Sequence, residues 1–463
     1  DGAPGWTLEA AGFRVGPELH QSGAAFTHQE NGDPLPSMSW PTNYDRLACA
    51  TMFSLFWAGD RVAPGLTGRA GGEQGLQDLL QNGFIAAMAR LARTLKDVPS
   101  VLGFETMNEP HPGWLGRGDF GSALGGAVAS GQSPFEQLRR CVAGQDTPWV
   151  SSCLWAEAGV WDPSTERLLD DGRFDCDFMA ECFAPFVQKY TAAILNEMPR
   201  ALIGVCPPAF GRESKQKFPD QLHKQAFWAP HFYDGVVLVF KTWTPGVGIV
   251  IEETQPEDKL FGVFPSPPAL VQPVLNIEQR VSFYRSQLEK KCSLASQQTA
   301  SLVGEIGVPF DLQSPSNGSD AAAEAVDAHM CALERQFLPS CWWNYTPENS
   351  AKRGDGWNGE DLSIFTQTGG RALDAIVRPA LRACAGNPIS QSFNLAEGQY
   401  HCTFDATGAS ESVFFIPSRH FTGQNSTLFV TPGVTAIWEV DLQRLVCRCP
   451  EAIRVTVEFR RKA

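Results

Sequence analysis

From residue 75 to residue 385 the sequence alternates amphipathic stretches of helical period with short apolar runs, and that rhythm admits few folds. GLQDLLQNGFIAAMARLARTLK repeats Leu76, Leu80, Phe84, Met88 and Leu91 at helical spacing, and a strand over 101–106 follows. CDFMAECFAPFVQKYTAAILNEM then precedes ALIGVC, IEQRVSFYRSQLEKKC precedes SLVGEI, and AAAEAVDAHMCALERQF precedes SCWWNY. With AFWAPHFY at 226–233, five strands are predicted in an α/β fold, most of them ending near polar or aromatic residues. We read them as part of a (β/α)8 TIM barrel, which needs eight strands and leaves three to be found.

The first seventy residues offer Gly/Pro/Ser-rich loop and one helix-like segment, YDRLACATMFSLFWAG, and the chain opens on Asp1. The expectation is that residues 1–388 hold strands four to eight of a catalytic barrel. Strands one to three would then come from an N-terminal portion of the same precursor, a partner segment completing the barrel. After Pro388 the texture changes to polar/apolar alternation broken by Gly, Ser and Asn turns, which predicts a C-terminal antiparallel β-sandwich over 389–463.

A net charge of −14 supplies neither a basic stripe for nucleic acid nor a polybasic patch for anionic lipid. No apolar stretch approaches the length of a membrane span. Thirteen cysteines lie scattered without a framework, several inside apolar runs, which suits reduced thiols in the cytoplasm. The close pair Cys447 and Cys449 reads as one face of a strand, and no metal or organic cofactor is expected.

Two strand ends carry carboxylates. VLGFETMNEP ends in Asn108, Glu109 and Pro110, and SLVGEIGVPF places Glu305 in an otherwise apolar strand. A buried carboxylate there must be compensated. Glu109 is either a catalytic acid or a residue that caps the following turn. Glu305 is either a nucleophile, kept ionised by hydrogen bonds that include the Tyr233 hydroxyl, or a structural carboxylate paired with an arginine. His231 and Tyr233, two apart on one strand, share a face. Together these residues suit the double displacement of a retaining glycosidase, which needs one carboxyl group to protonate the leaving oxygen and another to attack the anomeric carbon. Trp343 could form an apolar floor on which a pyranose ring stacks, with Trp342 pointing away.

Two loops stay open. PENSAKRGDGWNGEDLSIF, around Trp357, Asn358, Glu360 and Asp361, either binds sugar hydroxyls or is a solvated loop with Asx turns. The apolar insertion at 234–272 either lines a pocket for a lipid-like leaving group or packs as a helix or hairpin.

GFETMNEPHPGW, APHFYD, LVGEIGVPFD, CWWNYTPENSAKRGDGWNGEDLSIF and FWAGDRVAPG together resemble the family-5 glycoside hydrolases, and within them the endoglycoceramidase-related proteins of fungi. The resemblance implies Glu109 as acid/base, Glu305 as nucleophile, Asn108 on the sugar 2-hydroxyl, His231 and Tyr233 in the proton and nucleophile network, and Trp343 as platform. It implies a β-glucosidase acting on a glycolipid, a steryl glucoside first and glucosylceramide as the alternative. A vacuolar or peripheral membrane contact would be natural for such a substrate. An inactive glycolipid-binding barrel is a third reading, and the presence of both glutamates argues against it. The departure is at the front, where the family's third strand ends in a His-Gln-Asp motif just before a segment like DGAPGW.

Overall fold

A computed structural model describes the chain apart from residues 1–2, 26–42, 45, 67–73, 117–146, 166, 170–171, 210–215, 220, 245–247, 253–258, 261–263, 266–269, 275, 296–298, 314–319, 357–358 and 463. Its central sheet is parallel and follows chain order. β1 (Gly103–Glu105) pairs with β2 (Leu202–Val205), which pairs with β3 (Ala226–Trp228). β4 (His231–Phe232) pairs with β5 (Val303–Ile306), and β5 with β6 (Ser340–Trp342). β3 and β4 are one strand interrupted at Ala229–Pro230: Trp228 donates to the Ala300 carbonyl and accepts from Leu302, so β3 also lies beside the β5 segment. The five runs expected from the sequence are therefore successive neighbours in space, as short crossover connections require.

The sheet is curled. Glu105 on β1 and Gly304 on β5 are three strands apart, roughly 14 Å in a flat sheet. A Cβ on Gly304 would nevertheless sit 3.5 Å from Glu105 Oε2. The concave face thus gathers side chains from both ends of the strand order.

Helices pack around the sheet. α1 (Leu47–Val62) and α2 (Leu76–Leu95) precede β1, and α3 (Ala184–Glu197) leads into β2. They meet through aromatic side chains: the Phe56 ring is 5.2 Å from Phe186 and 6.0 Å from Phe84. α2 buries Leu76 and Leu80 and half-buries Phe84 and Met88, but Leu91 is 43% exposed and Ala92 is buried instead. α4 (Gly235–Phe240) and α5 (Ile277–Cys292) lie between β4 and β5, and α6 (Ala321–Glu334) leads to β6. Asp234, Asn276 and Asp320 cap α4, α5 and α6 by accepting backbone N–H bonds.

The insertion after β4 is α4 followed by an antiparallel ribbon, Gly248–Glu252 against Leu270–Val274. The helix-or-hairpin reading therefore describes its backbone. Residues 380–461 form two four-stranded antiparallel sheets around a core that includes Phe404, Phe414, Val457 and Phe459. They begin at Ala380, upstream of the texture change at Pro388. Cys447 and Cys449 are buried on one face of strand Arg444–Cys449, and all described cysteines are free thiols. Among the described residues no helix is long and apolar enough to cross a membrane.

The antiparallel sheets are pinned to α6 by a buried charge pair. Arg378 bonds Glu334 through Nε at 2.9 Å and Nη2 at 3.1 Å, and also the Phe393 carbonyl at 2.6 Å. Glu334 in turn accepts the Phe393 N–H at 2.8 Å. Removing one partner strands a buried charge, which costs about 3–5 kcal/mol. Arg378→Ala should lose that much stability in chemical denaturation.

Candidate functional site

Glu109 sits on the bend after β1 with φ +41°, a conformation costly for a residue with a side chain. Neighbouring contacts hold the bend in place. Trp57 of α1 donates its indole N–H to the His111 carbonyl at 2.8 Å, and the Trp114 N–H donates to Ser54 at 2.9 Å. Gly113, at φ +65°, lies so close to α1 that a Cβ would meet the Ala50 carbonyl at 2.5 Å. Only glycine fits there.

The bend delivers a buried Glu109 to the concave face. Its Oε1 lies 2.9 Å from His231 Nδ1, and its Oε2 accepts the Tyr44 hydroxyl at 3.2 Å. The Glu109 N–H points at Cys206 Sγ, 3.3 Å away, and that sulfur lies 3.6 Å from His231 Nε2. Asn108 is exposed beside it.

Glu305 stands opposite His231 in the β4–β5 register. Its Oε1 accepts the Tyr233 hydroxyl at 2.6 Å, and its Oε2 is 3.8 Å from His231 Nδ1. One oxygen of each glutamate and a His231 nitrogen all lie within 4.8 Å of one another. The structure therefore brings Glu109, Glu305, His231 and Tyr233 together as expected. The arginine partner considered for Glu305 does not occur among the described residues; its compensation is His231 and Tyr233.

The β4 end is fixed from outside the sheet. Asp234 accepts from Val236 and Val237 at 3.0 and 3.2 Å, from Arg280 at 3.2 Å and from the Tyr284 hydroxyl at 2.6 Å. That buried pair ties the residue after Tyr233 to α5.

Burial works to lower the His231 pKa, but Cys206, the Glu109 hydrogen bond and the Glu305 charge outweigh it and push it up to about 11. His231 therefore holds a proton readily, with Nδ1 facing both carboxylates. Burial lifts Glu305 above the ordinary carboxylate range, while His231 and the Tyr233 hydroxyl pull it back. Hydrogen bonding alone does not set its ionisation. Burial, reinforced by the neighbouring carboxylates, pushes both phenols well up, Tyr44 by Glu109 and Tyr233 by Glu305. Both remain hydrogen-bond donors.

Trp343, 36% exposed, follows β6, and its indole N–H donates to buried Glu360 at 3.2 Å. A cavity of about 500 Å³ opens there, lined by residues 342–346 and Asp355. Trp342 packs against the core formed by α5 and α6. The loop expected to offer sugar ligands divides. Asp361 is engaged by Asn349 at 2.8 Å and by Arg371 at 2.7 Å, while Glu360 turns toward Trp343. Trp357 and Asn358 lie outside the described residues.

Sequence reasoning missed Tyr44, whose partner is 65 positions away. It also gave no role to His111, whose ring stacks on Tyr44 at 4.9 Å, or to Cys206, which counted among the thiols inside apolar runs. Two donor triads, Glu109–His231–Glu305 and Glu105–Cys206–His231, are close enough for an ion. Both His231 nitrogens already face hydrogen-bond partners, so we assign neither as a metal site.

The comparisons follow the same lines. Residues 378–457 match the glycoside hydrolase family 5 C-terminal domain. The chain is 31% identical to a glucosylceramidase of Rhizopus delemar, over 91% of this chain and 70% of that protein. It is 29% identical to an ergosteryl-beta-glucosidase of Saccharomyces cerevisiae, over 79% of this chain and 57% of that one. Among solved structures, sterylglucosidase 1 of Cryptococcus neoformans superposes with TM-score 0.82 at 22% identity, covering 100% of this chain and 78% of that one. Endo-glycoceramidase II of Rhodococcus sp. does so at 0.55 and 16%, with 100% and 76% covered. At those identities the structural likeness speaks for the fold alone.

Proposed function

Because the chain belongs to the glycoside hydrolase family 5 group that contains the Rhizopus glucosylceramidase, we propose that it is a retaining β-glucosidase that hydrolyses steryl β-glucosides to sterol and glucose. The observation that carries the reading is the Glu109–Glu305 pair, with one oxygen of each within 4.8 Å of the other. Retention requires carboxyl groups roughly 5–5.5 Å apart, whereas inversion needs roughly 6.5–9.5 Å to admit a water. We read the curled sheet as five strands of a (β/α)8 barrel, with the site at the carboxyl ends of its strands.

In the first step Glu305 attacks the anomeric carbon and Glu109 gives its proton to the departing sterol oxygen, leaving a glucosyl ester on Glu305. In the second, Glu109 takes a proton from water, the water oxygen attacks the anomeric carbon, and the Glu305 carboxylate leaves. His231 Nδ1, 2.9 Å from Glu109 Oε1, shares with it the proton of the first step before that proton is delivered. Tyr233 orients Glu305, Trp343 offers the pyranose an apolar face, and Asn108 takes the 2-hydroxyl. The insertion after β4 borders the aglycone.

A glucosylceramidase reading stands second, because that is the name carried by the Rhizopus relative at 31% identity. Ergosteryl glucoside and glucosylceramide in one assay separate the two. We expect the steryl substrate to be preferred; preference for the ceramide would reverse the order. In the same assay Glu109→Gln should lose 10²–10⁴-fold in rate.

Tyr233→Phe should shift the acid side of the activity profile. Glu305 must be ionised to attack, and the Tyr233 hydrogen bond favours that form. Without it the carboxyl pKa rises, so activity fails at a higher pH as pH falls. A hydrogen bond to a charged group, worth about 1.5–3 kcal/mol, corresponds to an upward shift of about one pH unit or more.

A further inference from the structure

Glu105 is a largely buried carboxylate that the reaction above leaves unused. It ends β1, paired in register with Gly204. Gly204 leaves room for its side chain on the concave face, and Gly304 lies across from it. A Cβ on Gly204 would meet its Cγ at 3.0 Å, and one on Gly304 would meet its Oε2 at 3.5 Å.

There its carboxylate, the Cys206 sulfur and a His231 nitrogen lie within 4.8 Å of one another. Cys206 is 3.6 Å from His231 Nε2, and His231 Nδ1 is 2.9 Å from Glu109 Oε1. A continuous path thus runs from Glu105 through a thiol and an imidazole to the proposed acid/base. Among the described residues, Tyr190, whose hydroxyl donates to the Glu105 carbonyl at 2.7 Å, Cys206, His231, Glu305 and Cys341 are the titratable groups that face Glu105.

His231 Nδ1 and Glu109 Oε1, 2.9 Å apart, are placed to share a proton. The pair must hold one proton in the free enzyme for Glu109 to deliver it to the leaving oxygen. An anion behind His231 favours keeping that proton. Burial holds the Glu105 pKa above the ordinary carboxylate range, while His231 and the Cys206 hydrogen bond limit the rise.

We propose that Glu105 is a positioning residue for acid/base catalysis, acting through Cys206 and His231 to keep the shared proton on the His231–Glu109 pair. This rests on the glycosidase reading above. It places a third carboxylate in the proton inventory of the site, one that touches no substrate.

The test is the pH dependence of kcat/KM for Glu105→Gln on two aryl β-glucosides. With 4-methylumbelliferyl β-glucoside, whose leaving group benefits from protonation, the alkaline limb should fall by about one pH unit. With 2,4-dinitrophenyl β-glucoside, whose phenolate departs unprotonated, the limb should move much less. Cys206→Ala should also lower the first limb, and Cys206→Ser should bring it back toward wild type. A purely structural role would lower rate or melting temperature and leave the limbs in place. Unmoved limbs in folded Glu105→Gln overturn the proposal; should that variant not fold, unmoved limbs in Cys206→Ala do so. A wild-type protein that cleaves neither glucoside overturns the glycosidase reading itself.

Discussion

Two carboxylates held about 4 Å apart repel each other by about 4 kcal/mol at the effective dielectric of a protein site, and burial adds to the difficulty. The imidazole of His231 is what lets Glu109 and Glu305 stand this close. One nitrogen, Nδ1, lies 2.9 Å from the first and 3.8 Å from the second. Its pKa is raised because these groups surround it. The hydroxyls of Tyr44 and Tyr233 each hold one carboxylate from the far side.

The rest of the structure fixes where that imidazole stands. β4 and β5 run parallel with Glu305 opposite His231. Asp234, buried against Arg280 and Tyr284, fixes the chain just beyond. The curl of the sheet brings Glu109, from the β1 end, against residues of β4 and β5. α1 supplies Trp57 and Ser54 to hold the Glu109 bend in a backbone conformation that it would not adopt freely. Stability and chemistry therefore draw on the same contacts.

Much of this was legible in the sequence because it is written locally. The five strands, the helices between them and the polar/apolar alternation of the C-terminal sheets follow from periodicity, and Glu109 and Glu305 stand out because carboxylates rarely end apolar runs without reason. What was not legible depends on distant parts of the chain meeting. Tyr44 carries no motif, and its role exists only once α1 is packed on the sheet. Cys206 looks like any core thiol until His231 is placed beside it. Glu105 is one more charge in a strand until Gly204 is seen to make space for it. Asp361 and Glu360, adjacent in sequence, part ways because one faces Arg371 and the other Trp343.

The central claim is that Glu305 is the residue that bonds to sugar. Incubation with an activated 2-deoxy-2-fluoro-β-glucoside slows breakdown of any glycosyl-enzyme, and peptide mass spectrometry then locates the added sugar. The account predicts a fluoroglucosyl adduct on the peptide carrying Glu305, with β-glucose as the first product from ordinary substrates. An adduct on Glu109, or α-glucose as the first product, would contradict it.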